Sequence, residues 1–228
     1  LEGSDAQLLA QIGERVRAKL DADPRAERLE AQGLDVFVVH GFMTAEECEA
    51  MIGLIDADVK PSLVFRSTGD PEYRTSLTCN LPRAEPLVLE VEQRMADLLG
   101  IPLPQSETLQ GQRYTPGQQF KAHHDYFTGG KSYSQAVAQE GGQRTWTAML
   151  FLNEPGLGGA THFERAGVKV APRVGTLLTW NNMGRDGLPN RFTRHEGSRV
   201  EAGAKHVLTK WFREREWRKL GAGEAHGS

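Results

Sequence analysis

Three side chains able to bind a metal and one cation stand out by type and spacing. His123 and Asp125 lie in Phe120-Lys-Ala-His-His-Asp-Tyr-Phe127, His195 lies far downstream, and Lys205 follows ten residues after it. Two imidazoles and one carboxylate on one face of an ion leave the opposite face open, as in non-haem Fe(II) sites that react with dioxygen and unlike closed structural metal sites. Side chains two apart on a strand project to the same face, so His123 and Asp125 can grip one ion while His124 points away. A lysine nearby could serve as a point-charge partner for a bound carboxylate. Each residue also has an ordinary reading: a surface ion pair for His-x-Asp, a structural role for a lone strand histidine, a solvated lysine. His124, His162 and His206 do not fit the spacing and read as structural or surface residues.

Such residues need a scaffold. Leu8, Leu9, Ile12, Val16 and Leu20 recur at helical spacing, which predicts an amphipathic helix from about Asp5 to Leu20. Asp35 to His40 reads as a strand, and Thr44-Ala-Glu-Glu47 supplies a capping box for a second helix. A third helix is expected from Pro86 until Gly100 stops it. From Glu107 onward the character changes to short strand-like runs: Glu107 to Tyr114, Gln118 to His124, Thr145 to Leu152, Thr161 to Phe163, Val168 to Val170, Thr176 to Trp180, Arg191 to Glu196 and Lys205 to Phe212. Short strands in such succession predict a mainly β fold, a sandwich or jelly roll with supporting helices, rather than a parallel sheet with crossover helices. The stretch Gly129 to Gly142, bounded by paired glycines, reads as a long mobile loop and a candidate substrate lid. Residues 1–34 are expected as an N-terminal helical extension, 35–216 as one domain with its jelly-roll core from about residue 107, and 217–228 as a tail. The charged run Arg213 to Leu220 reads as a surface helix or a contact, with a solvated helix the favoured expectation.

Composition narrows the function classes. With 25% charged and 39% hydrophobic residues the 228-residue chain is ordinary for a soluble globular protein, and a net charge of -3 leaves no electrostatic footprint for nucleic acid. Cys48 and Cys79 are too few for a disulfide framework and lack paired zinc-site spacing. No apolar run is long enough to span a bilayer and no secretory signal pattern opens the chain, so a cytoplasmic location without membrane partners is expected.

Several linked motifs then resemble the prolyl 4-hydroxylase family of Fe(II)- and 2-oxoglutarate-dependent dioxygenases. Tyr114-Thr-Pro-Gly117 leading to Phe120-Lys-Ala-His123-His-Asp125-Tyr-Phe127 is similar to the family's metal-binding strand. Gly141-Gly-Gln-Arg144-Thr-Trp-Thr147 with Phe151-Leu-Asn153 resembles its next core strand, and Gly158-Gly-Ala-Thr161-His-Phe163 its Gly-Gly-Glu-Thr element. Pro189 to Lys205 with Lys210-Trp211 resembles its distal His, Lys and Trp segment, and the order holds from about Leu34 to Arg215. The resemblance implies a double-stranded β-helix with His123, Asp125 and His195 as iron ligands and Lys205 on the far carboxylate of 2-oxoglutarate. It further implies Tyr114 beside the cosubstrate, with Thr161 and Thr147 lining the same pocket, and no catalytic residue beyond the metal centre. Arg144, Trp211, Phe120 and Arg74, the last in an Arg-Thr-Ser segment, match substrate-facing positions.

The implied reaction is hydroxylation of an unactivated carbon, foremost a prolyl residue at position 4 in a peptide or protein, using Fe(II), 2-oxoglutarate and O2 and releasing succinate and CO2; ascorbate is admitted as a reductant. Phe120 replaces a frequent Tyr, Ala160 the usual Glu, and Arg199 a common Pro, departures that bear on substrate rather than on iron. A free amino acid or other small molecule is the alternative substrate of the same mechanism. A zinc hydrolase using the same three ligands lacks a His-Glu-x-x-His motif, and a non-catalytic jelly-roll binding module gives no reason for Lys205. Nothing in the sequence fixes the oligomeric state.

Overall fold

The computed structural model describes residues 4–62, 73–128 and 131–218, with the backbone alone for 131–134. Helix α1 (Ala6–Ala22) starts where the Asp5 carboxylate accepts from the Gln7 and Leu8 amides, and its Leu9, Ile12, Val16 and Leu20 are buried. Strands β1 (Ala26–Arg28) and β2 (Val36–Val39) pair, and α2 (Ala45–Asp58) opens on the reciprocal Thr44–Glu47 capping box. After β3 (Lys60–Pro61) and β4 (Leu77–Asn80), α3 (Pro86–Leu99) takes Pro86 into its first turn and ends at Gly100, whose φ of 65° needs a residue without Cβ. Then follow β5 (Gln110–Tyr114), β6 (Phe120–His123), α4 (Lys131–Gln139), β7 (Arg144–Phe151), β8 (Leu157–Gly158), β9 (Thr161–Phe163) and β10 (Val168–Val170). The chain closes its core with β11 (Thr176–Asn181), β12 (His195–Gly197), β13 (Val200–Ala202) and β14 (Lys205–Arg213).

All strand pairings are antiparallel. The large sheet runs β1-β2-β11-β7-β14-β5-β4-β3 and the small one β10-β9-β12-β6, with β13 and β8 as a separate pair. This is the mainly β, jelly-roll architecture with supporting helices that the strand pattern predicts. Alternation along β14 shows how it is layered. Leu208 and Phe212 join Leu150 and Leu177 against Ile12, Met51 and Met95 of the helices, while Val207 faces the other way with Met149, Phe151, Trp180 and Phe163 between the sheets. On the helix side, Glu92 of α3 pairs with fully buried Lys210, which pins the helix layer to the strand carrying Trp211 on its opposite face. No helix among the described residues is long and apolar enough to cross a membrane.

Within the expected N-terminal helical extension, β1 extends the large sheet and α1 supplies Ile12, Val16 and Leu20 to the main core. Three expectations need correction. The stretch expected as a mobile loop holds α4, whose Lys, Gln and Ala content favours helix; Gly129 and Gly130 lie outside the described residues. Arg191–Thr193 forms a 3-10 turn rather than the start of a strand, because the Asn190 side chain accepts from the Phe192 amide and bends the backbone before β12 begins at His195. The run from Arg213 is not a helix up to residue 218: Arg213 is the buried end of β14, and residues 219–228 of the expected tail lie outside the described residues.

Candidate metal centre

His123 ends β6 and His195 opens β12, and the two stand opposite each other in the antiparallel pair. Asp125 follows two residues after His123. One ligand-capable atom from each of His123, Asp125 and His195 lies within 4.8 Å of the others. The imidazoles are aimed by their second nitrogens, His123 Nδ1 standing 2.9 Å from the Lys121 carbonyl and His195 Nδ1 2.8 Å from the Thr193 carbonyl. A carbonyl only accepts, so Nδ1 carries the hydrogen in both rings and Nε2 keeps a free lone pair.

The electrostatics favour a cation. Burial opposes ionisation of Asp125, but the His123 and His195 imidazoles and Arg144 outweigh it and hold the carboxyl well below the usual carboxylate range. Burial, then the neighbouring His123, pushes His195 down to about 4, so it is neutral near pH 7 as a metal ligand must be. These residues therefore fit a hard or borderline divalent ion with open coordination positions.

Lys205 and Tyr114, register partners on β14 and β5, wall the same pocket together with Thr161 and Gln112. The Lys205 ammonium lies 5.4 Å from the Tyr114 ring and 5.5 Å from the Phe151 ring, with no hydrogen-bond or ion-pair partner among the described residues. Burial pushes it down to about 7. A buried cation without a counter-anion is unfavourable, and an entering carboxylate would relieve it. The Tyr114 hydroxyl donates to Gln112 at 2.8 Å, and Gln112 donates to Thr209 at 3.1 Å, so one side of the pocket is a fixed polar wall. Thr147 departs from its expected place. It does not line the pocket; although it shares a face of β7 with Met149, which does, its hydroxyl donates to Asp125 Oδ2 at 2.7 Å.

The residues expected to face substrate gather at the same site. Phe120 stacks on the His123 ring at 3.6 Å between centroids and 16° between planes, and Trp211 lines the pocket from β14. Arg74 lies 4.8 Å over the Phe120 ring and donates to Ser76, Thr78 and Gln110. Arg144 sits 4.1 Å over the Trp211 ring and grips Glu107 with two hydrogen bonds of 2.6 and 2.7 Å. Glu107 also accepts from Arg213 at 2.9 Å. Burial opposes its ionisation, but the two guanidinium groups hold its carboxyl below the ordinary value. Sequence reasoning missed Glu107 and Arg213 as organisers of this wall, and Gln112 and Thr209 within it. Counting by two from Tyr114 and from Lys205 finds the latter pair; a bridge from Glu107 to two arginines on separate strands leaves no local signal.

A family model described as the 2OG-Fe(II) oxygenase superfamily matches residues 109–213, the span from β5 to the end of β14. Prolyl 4-hydroxylase 5 of Arabidopsis thaliana is 32% identical over 90% of this chain and 74% of its own length. Prolyl 4-hydroxylase 1 of the same plant is 30% identical over 79% of this chain and 69% of its own. Among solved structures, the 2OG complex of the viral collagen prolyl hydroxylase from Paramecium Bursaria Chlorella virus-1 superposes with a TM-score of 0.62 at 22% identity, covering 78% of this chain and 95% of that one.

Proposed function

Because the chain belongs to the 2OG-Fe(II) oxygenase superfamily and is a prolyl 4-hydroxylase-like dioxygenase, we propose that it hydroxylates a prolyl residue at position 4 in a peptide or protein, releasing succinate and CO2. The observation that carries this reading is a buried Lys205 ammonium, without a hydrogen-bond or ion-pair partner among the described residues, in the same pocket as the His123, Asp125 and His195 cluster and lined also by Phe120 and Trp211. Fe(II) with 2-oxoglutarate and O2 supplies the oxidising power that sets hydroxyl on an unactivated carbon. The protein's own residues do the rest. His123 and His195 would hold the iron through Nε2 and Asp125 through its carboxylate. Lys205 binds the far carboxylate of 2-oxoglutarate, with Tyr114 and Thr161 beside it. Phe120 and Trp211 offer flat apolar faces suited to a pyrrolidine ring and exclude water from the reacting carbon. Arg144 stiffens Trp211, and Arg74 stiffens Phe120 from the other side.

Succinate release with proline-containing peptides, with free proline and with no added substrate tests the substrate class. Peptides are expected to couple to turnover well above the other two. Coupling to free proline alone would favour the small-molecule reading.

The Lys205 environment sets a pH dependence. Its ammonium loses its proton near pH 7 in the empty pocket, and a bound carboxylate restores it, so binding takes up a proton above that pH. Tyr114, Asp125 and the two ligand histidines line the same pocket. Affinity for 2-oxoglutarate is expected to fall from about pH 7 to about pH 9, by up to tenfold per pH unit. Equilibrium titration checks it, and the slope should vanish in Lys205→Met. A flat profile in the parent would contradict the assignment of Lys205.

A further inference from the structure

Asp125 has two carboxylate oxygens, and the structure treats them differently. Oδ1 lies on the side of the imidazoles, 3.6 Å from His123 Nε2. Oδ2 accepts from the Thr147 hydroxyl at 2.7 Å. Thr147 is fully buried in β7, which is flanked on both sides by β11 and β14, so its backbone is held by two ladders and its branched side chain by packing. A hydroxyl has one hydrogen. Once it is given to Asp125, the Thr147 oxygen can only accept, and the Asn182 Nδ2 group donates to it at 2.9 Å.

Asn182 is itself immobilised. Its side chain is fully buried, its amide donates to the Thr145 carbonyl at 2.7 Å and its carbonyl accepts from Asn190 at 3.0 Å. Its Oδ1 has no partner among the described residues. Turning the amide over would not help, because Oδ1 would then meet a Thr147 lone pair while the hydroxyl hydrogen stays on Thr147, directed at Asp125. The direction of the whole relay, amide to hydroxyl to carboxylate, is thereby fixed, and each bond polarises the next.

We infer that Thr147 and Asn182 are positioning residues that keep Asp125 a one-oxygen metal ligand. With Oδ2 tied back, the carboxylate cannot swing to present both oxygens. A second carboxylate oxygen on the metal would occupy a position that a two-point cosubstrate and dioxygen need. The inference rests on the reading of His123, Asp125 and His195 as the metal site, and it adds a device for keeping that site open. Neither residue touches the metal or walls the pocket, which separates them from the residues that bind cosubstrate.

The test uses Co(II) as a non-turnover stand-in, titrated into the purified protein. The dissociation constant and the intensity of the visible cobalt bands, which depends on coordination number, are both read. Thr147→Val, nearly isosteric but without the hydroxyl, is expected to weaken Co(II) about 10–100-fold, the usual effect of losing an outer partner of a ligand, and to change the band intensity. Thr147→Ser should restore both. Asn182→Ala should shift them in the same direction by a smaller factor, and it carries the test if Thr147→Val fails to fold. Parental affinity and spectrum in Thr147→Val, or in Asn182→Ala where only that variant folds, would overturn the inference while leaving the metal site standing. A parent that does not bind Co(II), or an Asp125→Ala variant that binds it equally well, would instead overturn the site itself and the inference with it.

Discussion

Asp125→Ala is expected to abolish 2-oxoglutarate turnover while the protein remains folded. The carboxylate is the one anionic member of the cluster, and without it two neutral imidazoles face a divalent cation. Loss of an outer partner of a ligand costs about 10–100-fold in metal affinity or activity, so loss of the ligand itself should cost more. The fold should tolerate the change. Asp125 sits beyond the end of β6 and outside the apolar clusters, so its truncation opens no gap in either core. Oxygen uptake and circular dichroism measured on the same sample check both halves. Decarboxylation at the parental rate with iron supplied would contradict the assignment, and a collapsed dichroism spectrum would contradict the account of the fold.

Lys205→Met is expected to raise the 2-oxoglutarate requirement about 10–100-fold, corresponding to the roughly 1.5–3 kcal/mol of a hydrogen bond to a charged group. Turnover at saturating cosubstrate should suffer less, since the iron ligands are untouched. The same variant should also show a crossing in stability. An unfolded lysine titrates near its ordinary value, but burial pushes folded Lys205 down to about 7, so the unfolded chain binds more protons between those two points. The lysine therefore destabilises the empty protein increasingly as pH falls towards 7, and the penalty stays constant below it. Lys205→Met removes the penalty, so the empty variant should melt higher than the empty parent near neutral pH. Added 2-oxoglutarate should raise the melting temperature of the parent and barely move that of the variant. Equal cosubstrate dependence in the two proteins would remove Lys205 from its role.

How much of this was legible depended on whether a signal was local. His123 and Asp125 are two residues apart on a strand end, so their common face follows from strand geometry, and Lys205 stands ten residues after His195 at the head of an expected strand. The helix caps at Thr44 and Pro86 were equally readable, because capping is a matter of a few adjacent residues. What escaped depends on partners distant in sequence. Thr147 could be placed near the site but not against Asp125 Oδ2, because the strand pattern does not say which carboxylate oxygen turns inward. Asn182 lies just past β11 and acquires meaning only when that strand pairs with β7. The Glu107 bridge joins Arg144 of β7 to Arg213 of β14, and no spacing rule links the three. Strand β1 is three residues long, and α4 was hidden by the glycines around it. In both cases tertiary packing outweighed weak local preference.

The most direct test is an anaerobic titration of the metal-free protein with Fe(II) and 2-oxoglutarate, followed by visible absorption. A 2-oxo acid chelated to Fe(II) gives a charge-transfer band that neither component gives alone. The band is expected in the parent only when both are present, to require higher 2-oxoglutarate in Lys205→Met, and to be absent in Asp125→Ala. A parent that gives no band, or an Asp125→Ala variant that gives the parental one, would contradict the claim that this pocket brings iron and 2-oxoglutarate together.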